Sequence, residues 1–160
     1  LNYLLKNFQG KIHVSLCMTN KKEEEKLIDL FTKHKRNKDL ILYACTSAYP
    51  VETKDSCLLE VSRLVEKYKR KNLVMDIGFS GHHKGIALDV AAFVLGANYI
   101  ERHFTLDRTW KGTDHSASLE PDGIRRLKRN LEETFNALKY KDKEILDVEI
   151  ASRNKLKYRN

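Results

Sequence analysis

Residues 76–121 read DIGFSGHHKGIALDVAAFVLGANYIERHFTLDRTWKGTDHSASLEP, and this stretch decides the fold. Two short apolar runs, residues 73–79 and 98–104, each end in a polar cluster that contains histidine. A helical pattern closed by Gly96 separates the two runs. The order predicts a strand, a helix and a second strand, with a polar loop after each strand. Such an alternation is typical of a parallel sheet in an α/β fold.

His82 and His103 lie where the two predicted strands end. The carboxyl ends of parallel strands share one edge of a sheet, so we expect the two imidazoles to converge there. Imidazole is a common ligand of divalent transition metals, and two imidazoles leave coordination positions open, as a Lewis-acid site requires. Spacing alone leaves two interpretations, which are a shared metal site and two hydrogen-bonded histidines near strand ends.

The same alternation continues on both sides of this stretch. Residues 11–16 and 40–45 are predicted to be strands, and residues 124–138 are predicted to form the last helix. We expect Thr19 or Asn20 to cap the helix after the first strand, and Asp55 to cap the helix after the second strand.

These elements predict an α/β protein that forms one domain over residues 1–160. Residues 1–10 are predicted to be the end of a preceding helix, residues 11–138 four β/α units, and residues 139–160 a charged tail. A closed barrel of this type has eight such units, so we expect a partial TIM barrel. Its two edge strands, residues 11–16 and 98–104, would carry unpaired backbone groups.

The net charge of +8 raises the question of nucleic-acid binding. The basic residues alternate with acidic ones along residues 21–36, 63–71 and 125–143, which is typical of solvated helix faces. We therefore expect no nucleic-acid partner, and a field that attracts anionic substrates.

Neither membrane insertion nor a disulfide framework is expected. No apolar run approaches the ~18 residues of a membrane-spanning helix, and the first residues do not resemble a signal peptide, so we expect a cytoplasmic protein. The three cysteines, Cys17, Cys45 and Cys57, are an odd number without CxxC spacing. We expect Cys17 and Cys45 to be buried apolar residues.

Three motifs lie in the central stretch, GFSGH at 78–82, ERHFTLD at 101–107 and WKGTDHSASLEP at 110–121, and CTSAYP at 45–50 precedes them. In this order and spacing they resemble the sialic acid synthase family. Those enzymes condense phosphoenolpyruvate with N-acetylmannosamine or its 6-phosphate to give N-acetylneuraminate or its 9-phosphate. The resemblance covers residues 11–138.

The resemblance implies a metal site. His82 and His103 match the two protein ligands of a divalent metal, manganese or magnesium, which would polarise the aldehyde of the open-chain sugar. Glu101 matches a glutamate beside the metal histidine, and we expect it to hydrogen-bond one of the ligands.

The resemblance also implies substrate contacts. Ser80 and Ser47 match positions that bind phosphoenolpyruvate, and Tyr49 and Asp114 match residues that hold the amino sugar. The residues themselves leave simpler roles open, namely a turn hydroxyl for Ser80, packing for Tyr49 and turn formation for Asp114.

Finally, the resemblance implies that these four units are strands five to eight of a (β/α)8 barrel. The other half, with its phosphate-binding lysines, and an antifreeze-like domain are expected outside this chain, so we expect the isolated chain to be inactive and the enzyme to be a homodimer. Two alternatives stay open, which are a synthase for another nonulosonate such as legionaminate and a non-catalytic half-barrel.

Overall fold

The computed structural model describes residues 1–157, which contain one four-stranded parallel sheet. Its strands are β1 (Ile12–Ser15), β2 (Leu40–Cys45), β3 (Asp76–Gly81) and β4 (Tyr99–Arg102). They pair in chain order, so β1 and β4 are the edges. The parallel α/β fold and the identity of its edge strands were both predicted from the sequence.

Helices precede, connect and follow the strands. Their bounds are α1 (Asn2–Asn7), α2 (Lys21–Lys33), α3 (Leu59–Leu64), α4 (Ala87–Val94), α5 (Pro121–Ala137) and α6 (Asp147–Leu156). No helix within residues 1–157 has both the length and the apolar character needed to cross a membrane.

The main core lies between the sheet and the helices. Alternate residues of a strand point to the same face, and on β2 the residues Leu40, Leu42 and Ala44 share one buried cluster with Ile77 and Phe79 of β3. The helical segments complete this cluster with Ile28, Phe31, Val61, Leu64, Tyr68 and Ala92.

The opposite face of the sheet is polar and concave. His13 Nδ1 is hydrogen-bonded to the Tyr43 hydroxyl at 2.8 Å, and the His13 ring lies 5.6 Å from the Tyr99 ring between centroids. His13 and Tyr99 belong to the two edge strands, which would be about 14 Å apart in a flat sheet at ~4.8 Å per strand. Their contact shows that the sheet curls toward this face, as the strands of a barrel do.

Two predicted helix boundaries are confirmed. The Asn20 side chain accepts a hydrogen bond from the Glu23 amide at 3.0 Å, and Glu23 accepts one from the Asn20 amide at 2.9 Å, so Asn20 rather than Thr19 caps α2. Gly96 follows α4 with φ +110°, a backbone conformation that favours glycine and ends the helix.

Two predicted boundaries were wrong. β3 begins at Asp76 rather than Leu73, because residues 73–75 form a lead-in held by Asn37 and by the Leu40 carbonyl. Asp55 does not cap a helix, since the positive φ of Cys57 turns the chain before α3 begins. The predicted tail contains α6, and only residues 158–160 of that tail lie outside the described residues.

Glu24 joins α2 to the segment that follows β2. Its carboxylate is buried and accepts hydrogen bonds from Arg63 at 2.9 and 2.7 Å, from Lys67 at 3.2 Å and from the Tyr68 hydroxyl at 2.6 Å. Burial by itself would raise the pKa of Glu24, but these hydrogen bonds outweigh it and lower the pKa from 4.5 to about 2.

We expect Glu24→Gln to remove a pH-dependent part of the stability. Because the folded-state pKa is depressed, the contribution is complete above pH 4.5 and is lost as the pH falls toward 2, and it amounts to roughly 3 kcal/mol at neutral pH. Urea unfolding at pH 7 and pH 3 measures it. The control is Glu25→Gln, because Glu25 is exposed and also contacts Lys67. Equal pH dependence in the two variants would contradict this account.

We expect chain 1–160 to self-associate in solution. β1 and β4 are the edges of the sheet within residues 1–157, so each has one side without a strand partner there, and backbone groups left unpaired along an edge favour pairing with another chain. Light scattering over a micromolar dilution series should give a mass above that of one chain. A stable monomer with one cooperative unfolding transition would show that the edges are covered, most simply by the C-terminal segment.

Candidate active site

The seven predicted site residues lie at one edge of the sheet. They occupy the carboxyl ends of the strands or the loops that follow them, and they are Ser47, Tyr49, Ser80, His82, Glu101, His103 and Asp114. This is the edge at which the sites of parallel β/α proteins are built.

His82 and His103 converge, as their spacing predicted. Their ring centroids are 5.0 Å apart, and the rings meet edge to face. His82 is almost fully buried, and its Nδ1 lies 2.9 Å from the Thr46 carbonyl oxygen. A carbonyl oxygen only accepts, so Nδ1 carries the proton and donates. Nε2 of His82 therefore keeps a free lone pair for a ligand.

Tyr49 covers both histidines. Its ring centroid lies 4.4 Å from that of His82 and 5.5 Å from that of His103. The Tyr49 hydroxyl is 3.3 Å from the Ser47 hydroxyl, so the two predicted substrate contacts of the loop after β2 are neighbours. Tyr49 also remains partly exposed, which leaves one side of its ring open to a ligand.

Asp114 faces His103 from the loop after β4. Its Oδ2 lies 3.7 Å from His103 Nδ1, and the Leu119 amide donates to the His103 carbonyl at 2.8 Å, which ties the loop to the end of β4. Trp110, in the same loop, is half exposed and packs edge to face on His115, 5.8 Å away between ring centroids.

Ser80 and Glu101 form a separate pair. The strand register places them opposite each other, and the Ser80 hydroxyl donates to Glu101 Oε1 at 3.0 Å. We expected Glu101 to hydrogen-bond a metal ligand. The structure shows its Oε1 bound to buried Ser80, because directly paired residues of neighbouring strands share one face, and its hydrogen bond to a metal ligand stays a prediction.

The two imidazoles fit a divalent metal that takes its other ligands from oxygen. No group of three or more His, Cys, Asp or Glu side chains suited to a metal occurs within residues 1–157. Manganese and magnesium also accept carboxylate, carbonyl and water oxygens, so two histidines with open positions suit them better than zinc in a closed structural site.

The expectation for the cysteines was wrong. Cys17 and Cys45 form a disulfide, with their Cα atoms 5.1 Å apart, while Cys57 is free and exposed. Ser15 pairs with Tyr43, and the same register two residues further on brings Cys17 opposite Cys45. The 28-residue separation of the two cysteines in the sequence carried no sign of this.

A buried charged cluster beside the histidines was not predicted from the sequence. Arg102 donates to Asp89 Oδ2 at 2.6 Å, and His83 is buried against both. One signal could have found it. A buried charge needs a partner, and Asp89 is the one charged residue in the apolar helix α4.

A family model described as the NeuB family matches residues 1–143 of the chain. The chain belongs to the NeuB family. The resemblance to sialic acid synthases drawn from the motifs is thereby confirmed.

Several curated relatives of the chain are nonulosonate synthases. The chain is 44% identical over 120 residues to the N-acetylneuraminate-9-phosphate synthases of Mus musculus and Homo sapiens. It is 36% identical over 130 residues to the N,N'-diacetyllegionaminic acid synthase of Campylobacter jejuni. These alignments cover 75% and 79% of this chain but 32% and 37% of the relatives, so the chain spans about a third of their length.

Solved structures show the same architecture. The N-acetylneuraminic acid synthetase of Leptospira borgpetersenii, in complex with citrate, superposes with a TM-score of 0.75 at 32% identity. The match covers 93% of this chain and 51% of that protein. The four parallel strands thus form a half-barrel similar to that of sialic acid synthases.

We expect thiol titration of the oxidised protein to detect one cysteine. In denaturant without reductant only Cys57 should react, and reduction should raise the count to three, because Cys17 and Cys45 are joined. Cys57→Ser should react only after reduction. Three reactive thiols in the unreduced wild type would contradict the pairing.

Proposed function

We propose that this chain supplies strands five to eight of the catalytic barrel of a sialic acid synthase. The intact enzyme would condense phosphoenolpyruvate with N-acetylmannosamine or its 6-phosphate. The observation that carries the proposal is the convergence of His82 and His103 at the carboxyl edge of the sheet. The 44% identity to N-acetylneuraminate-9-phosphate synthases supports the same reaction class.

In this reaction C3 of phosphoenolpyruvate forms a bond to the aldehyde carbon of the open-chain sugar. Water adds at C2 of the former phosphoenolpyruvate, and the C2–oxygen bond to phosphate breaks, so the products are the nonulosonate and inorganic phosphate. A divalent metal, manganese or magnesium, held by His82 and His103 would supply Lewis-acid polarisation of the aldehyde oxygen.

The residues around the histidines would orient the reactants. The Thr46 carbonyl accepts a hydrogen bond from His82 Nδ1, which would leave Nε2 as the nitrogen that binds the metal. Tyr49 and Asp114 flank the two rings, where they would bind hydroxyl and amide groups of the sugar.

The Ser80 and Ser47 hydroxyls would bind phosphoenolpyruvate. The Glu101 carboxylate accepts a hydrogen bond from the Ser80 hydroxyl and so fixes the direction of that hydroxyl. Holding reacting groups in one geometry can supply a large part of the rate enhancement.

We assign the activity to the intact protein rather than to this chain alone. The chain spans 32% of its mammalian relatives, and the lysines expected to bind phosphate would come from the other half of the barrel. We propose that the intact enzyme acts in the cytoplasm as a homodimer.

The sugar is the open part of the proposal. Similarity to the mammalian N-acetylneuraminate-9-phosphate synthases supports N-acetylmannosamine 6-phosphate as the sugar. Similarity to the Campylobacter N,N'-diacetyllegionaminic acid synthase supports the precursor of a legionaminic acid. Phosphate release with each sugar in turn would identify the substrate.

We expect His82→Ala and His103→Ala each to abolish tight manganese binding and phosphate release by the intact enzyme. Each variant removes one of the two converging imidazoles, and a single imidazole does not suffice. Titration calorimetry with Mn²⁺ and an assay of phosphate release measure the two effects.

The control is His115→Ala. His115 Nδ1 is hydrogen-bonded to the Thr105 hydroxyl at 2.8 Å, and its ring packs on Trp110. Because these contacts do not involve His82 or His103, the loss of His115 should leave the manganese affinity unchanged. Loss of binding in only one of the first two variants would assign separate roles to the histidines. Turnover without manganese or magnesium, equal to that of the metal-loaded enzyme, would overturn the metal site.

A further inference from the structure

The Arg102 side chain lies on the helix-facing side of the sheet, on the other face from the two converging histidines. Arg102 precedes His103 in the chain and ends β4 opposite Gly81, the last residue of β3. Its side chain is only 2% exposed. It is therefore attached to one histidine through the backbone and reaches the loop that carries the other.

The guanidinium holds that loop by its backbone. Nη2 donates to the His83 carbonyl at 2.7 Å, and Nη1 donates to the Gly85 carbonyl at 2.8 Å. His82 lies between the clamped carbonyl of His83 and Gly81, where an added Cβ would come within 2.9 Å of Asp89 Oδ1 and 3.1 Å of Arg102 Cδ. Movement of the 83–85 turn would thus displace His82 relative to His103.

Asp89 fixes the guanidinium in this position. Its fully buried carboxylate accepts from Arg102 Nη1 at 2.6 Å, and His83 Nε2 lies 3.5 Å from the same oxygen. Asp89 Oδ1 and Arg102 Nε have no hydrogen-bond partner among the described residues. A buried ion pair left incomplete in this way is weak support for stability, so its position beside the histidines calls for another explanation.

We propose that Arg102 is a positioning residue that sets the spacing of His82 and His103, and so the metal affinity of the site. The inference rests on the proposed function, because it presupposes that both histidines bind the metal. A planar guanidinium reaches a carboxylate and two carbonyls at once, which a lysine ammonium cannot do in the same geometry. Arg102→Lys should therefore keep the charge and lose the spacing.

The matched control is Arg36. It also joins a carboxylate, Asp39, to backbone carbonyls, donating to Leu5, Phe8 and Gly10. It does so near the amino ends of the strands, away from the histidines. Arg36→Lys thus tests the loss of the same kind of clamp at a place where no metal is expected.

The experiment measures free Mn²⁺ by electron paramagnetic resonance during titration of the intact protein, together with urea unfolding of each variant. Arg102→Lys should weaken manganese binding by about 10- to 100-fold, the usual effect of removing a residue that orients a metal ligand. Arg36→Lys should change it less than twofold while lowering the urea midpoint by a comparable amount. Equal losses of affinity in both variants, or unchanged affinity in Arg102→Lys, would overturn the inference.

Two further results keep the test decisive. If Arg102→Lys does not fold, Asp89→Asn is tested in its place. It should weaken manganese binding at least threefold, because the guanidinium loses its carboxylate partner. Unchanged affinity would overturn the inference. Failure of the proposed function would look different, since the wild type itself would bind no manganese or would bind it unchanged after His82→Ala.

Discussion

The in-register pairing of β2, β3 and β4 is the constraint on which the candidate site depends. Cys45 lies opposite Ser80, and Ser80 lies opposite Glu101, so their side chains share one face of the sheet. The same register, continued by two residues, brings His82 to His103. A slip of one residue in β4 would turn Glu101 and His103 toward the helices and place Arg102 in the site.

The two faces of the sheet have different roles. The helix-facing side is apolar and supplies the core, whereas the opposite side carries the polar side chains and curls until His13 and Tyr99 of the two edge strands touch. Burial first, and then the nearby Glu101 carboxylate, raises the pKa of Tyr43 to about 12, so its hydroxyl stays protonated at neutral pH. The concave face is thus lined with hydrogen-bonding groups below the histidines.

Two buried carboxylates show how differently the fold treats charge. Glu24 is surrounded by donors from Arg63, Lys67 and Tyr68. This is the pattern of a satisfied network, and it joins α2 to the helical segment after β2. Asp89 has one oxygen that finds no hydrogen-bond partner within residues 1–157. This incompletely hydrogen-bonded cluster of Asp89 and Arg102 lies next to the histidines. There, holding the loop after β3 in place matters more than a small gain in folding free energy.

The sequence by itself determined the parallel sheet, its edges, the stop at Gly96 and the convergence of His82 with His103, and it narrowed the cap of α2 to Thr19 or Asn20. All of these follow from local patterns or from the rule that parallel strands end at one edge. Family membership also followed from the motifs, because residues in a fixed order and spacing are a property of the chain alone.

Only the tertiary structure decided which side chains meet across strands. The Cys17–Cys45 disulfide, the Ser80–Glu101 pair and the clamp of Arg102 on the loop after β3 each join residues far apart in the sequence. Such contacts depend on strand register and on the depth to which a helix packs, and near-continuous apolar runs such as Leu40–Cys45 do not specify the register. The start of α3 was not predicted either. Cys57 has a positive φ there, and a cysteine in the sequence does not indicate that backbone conformation.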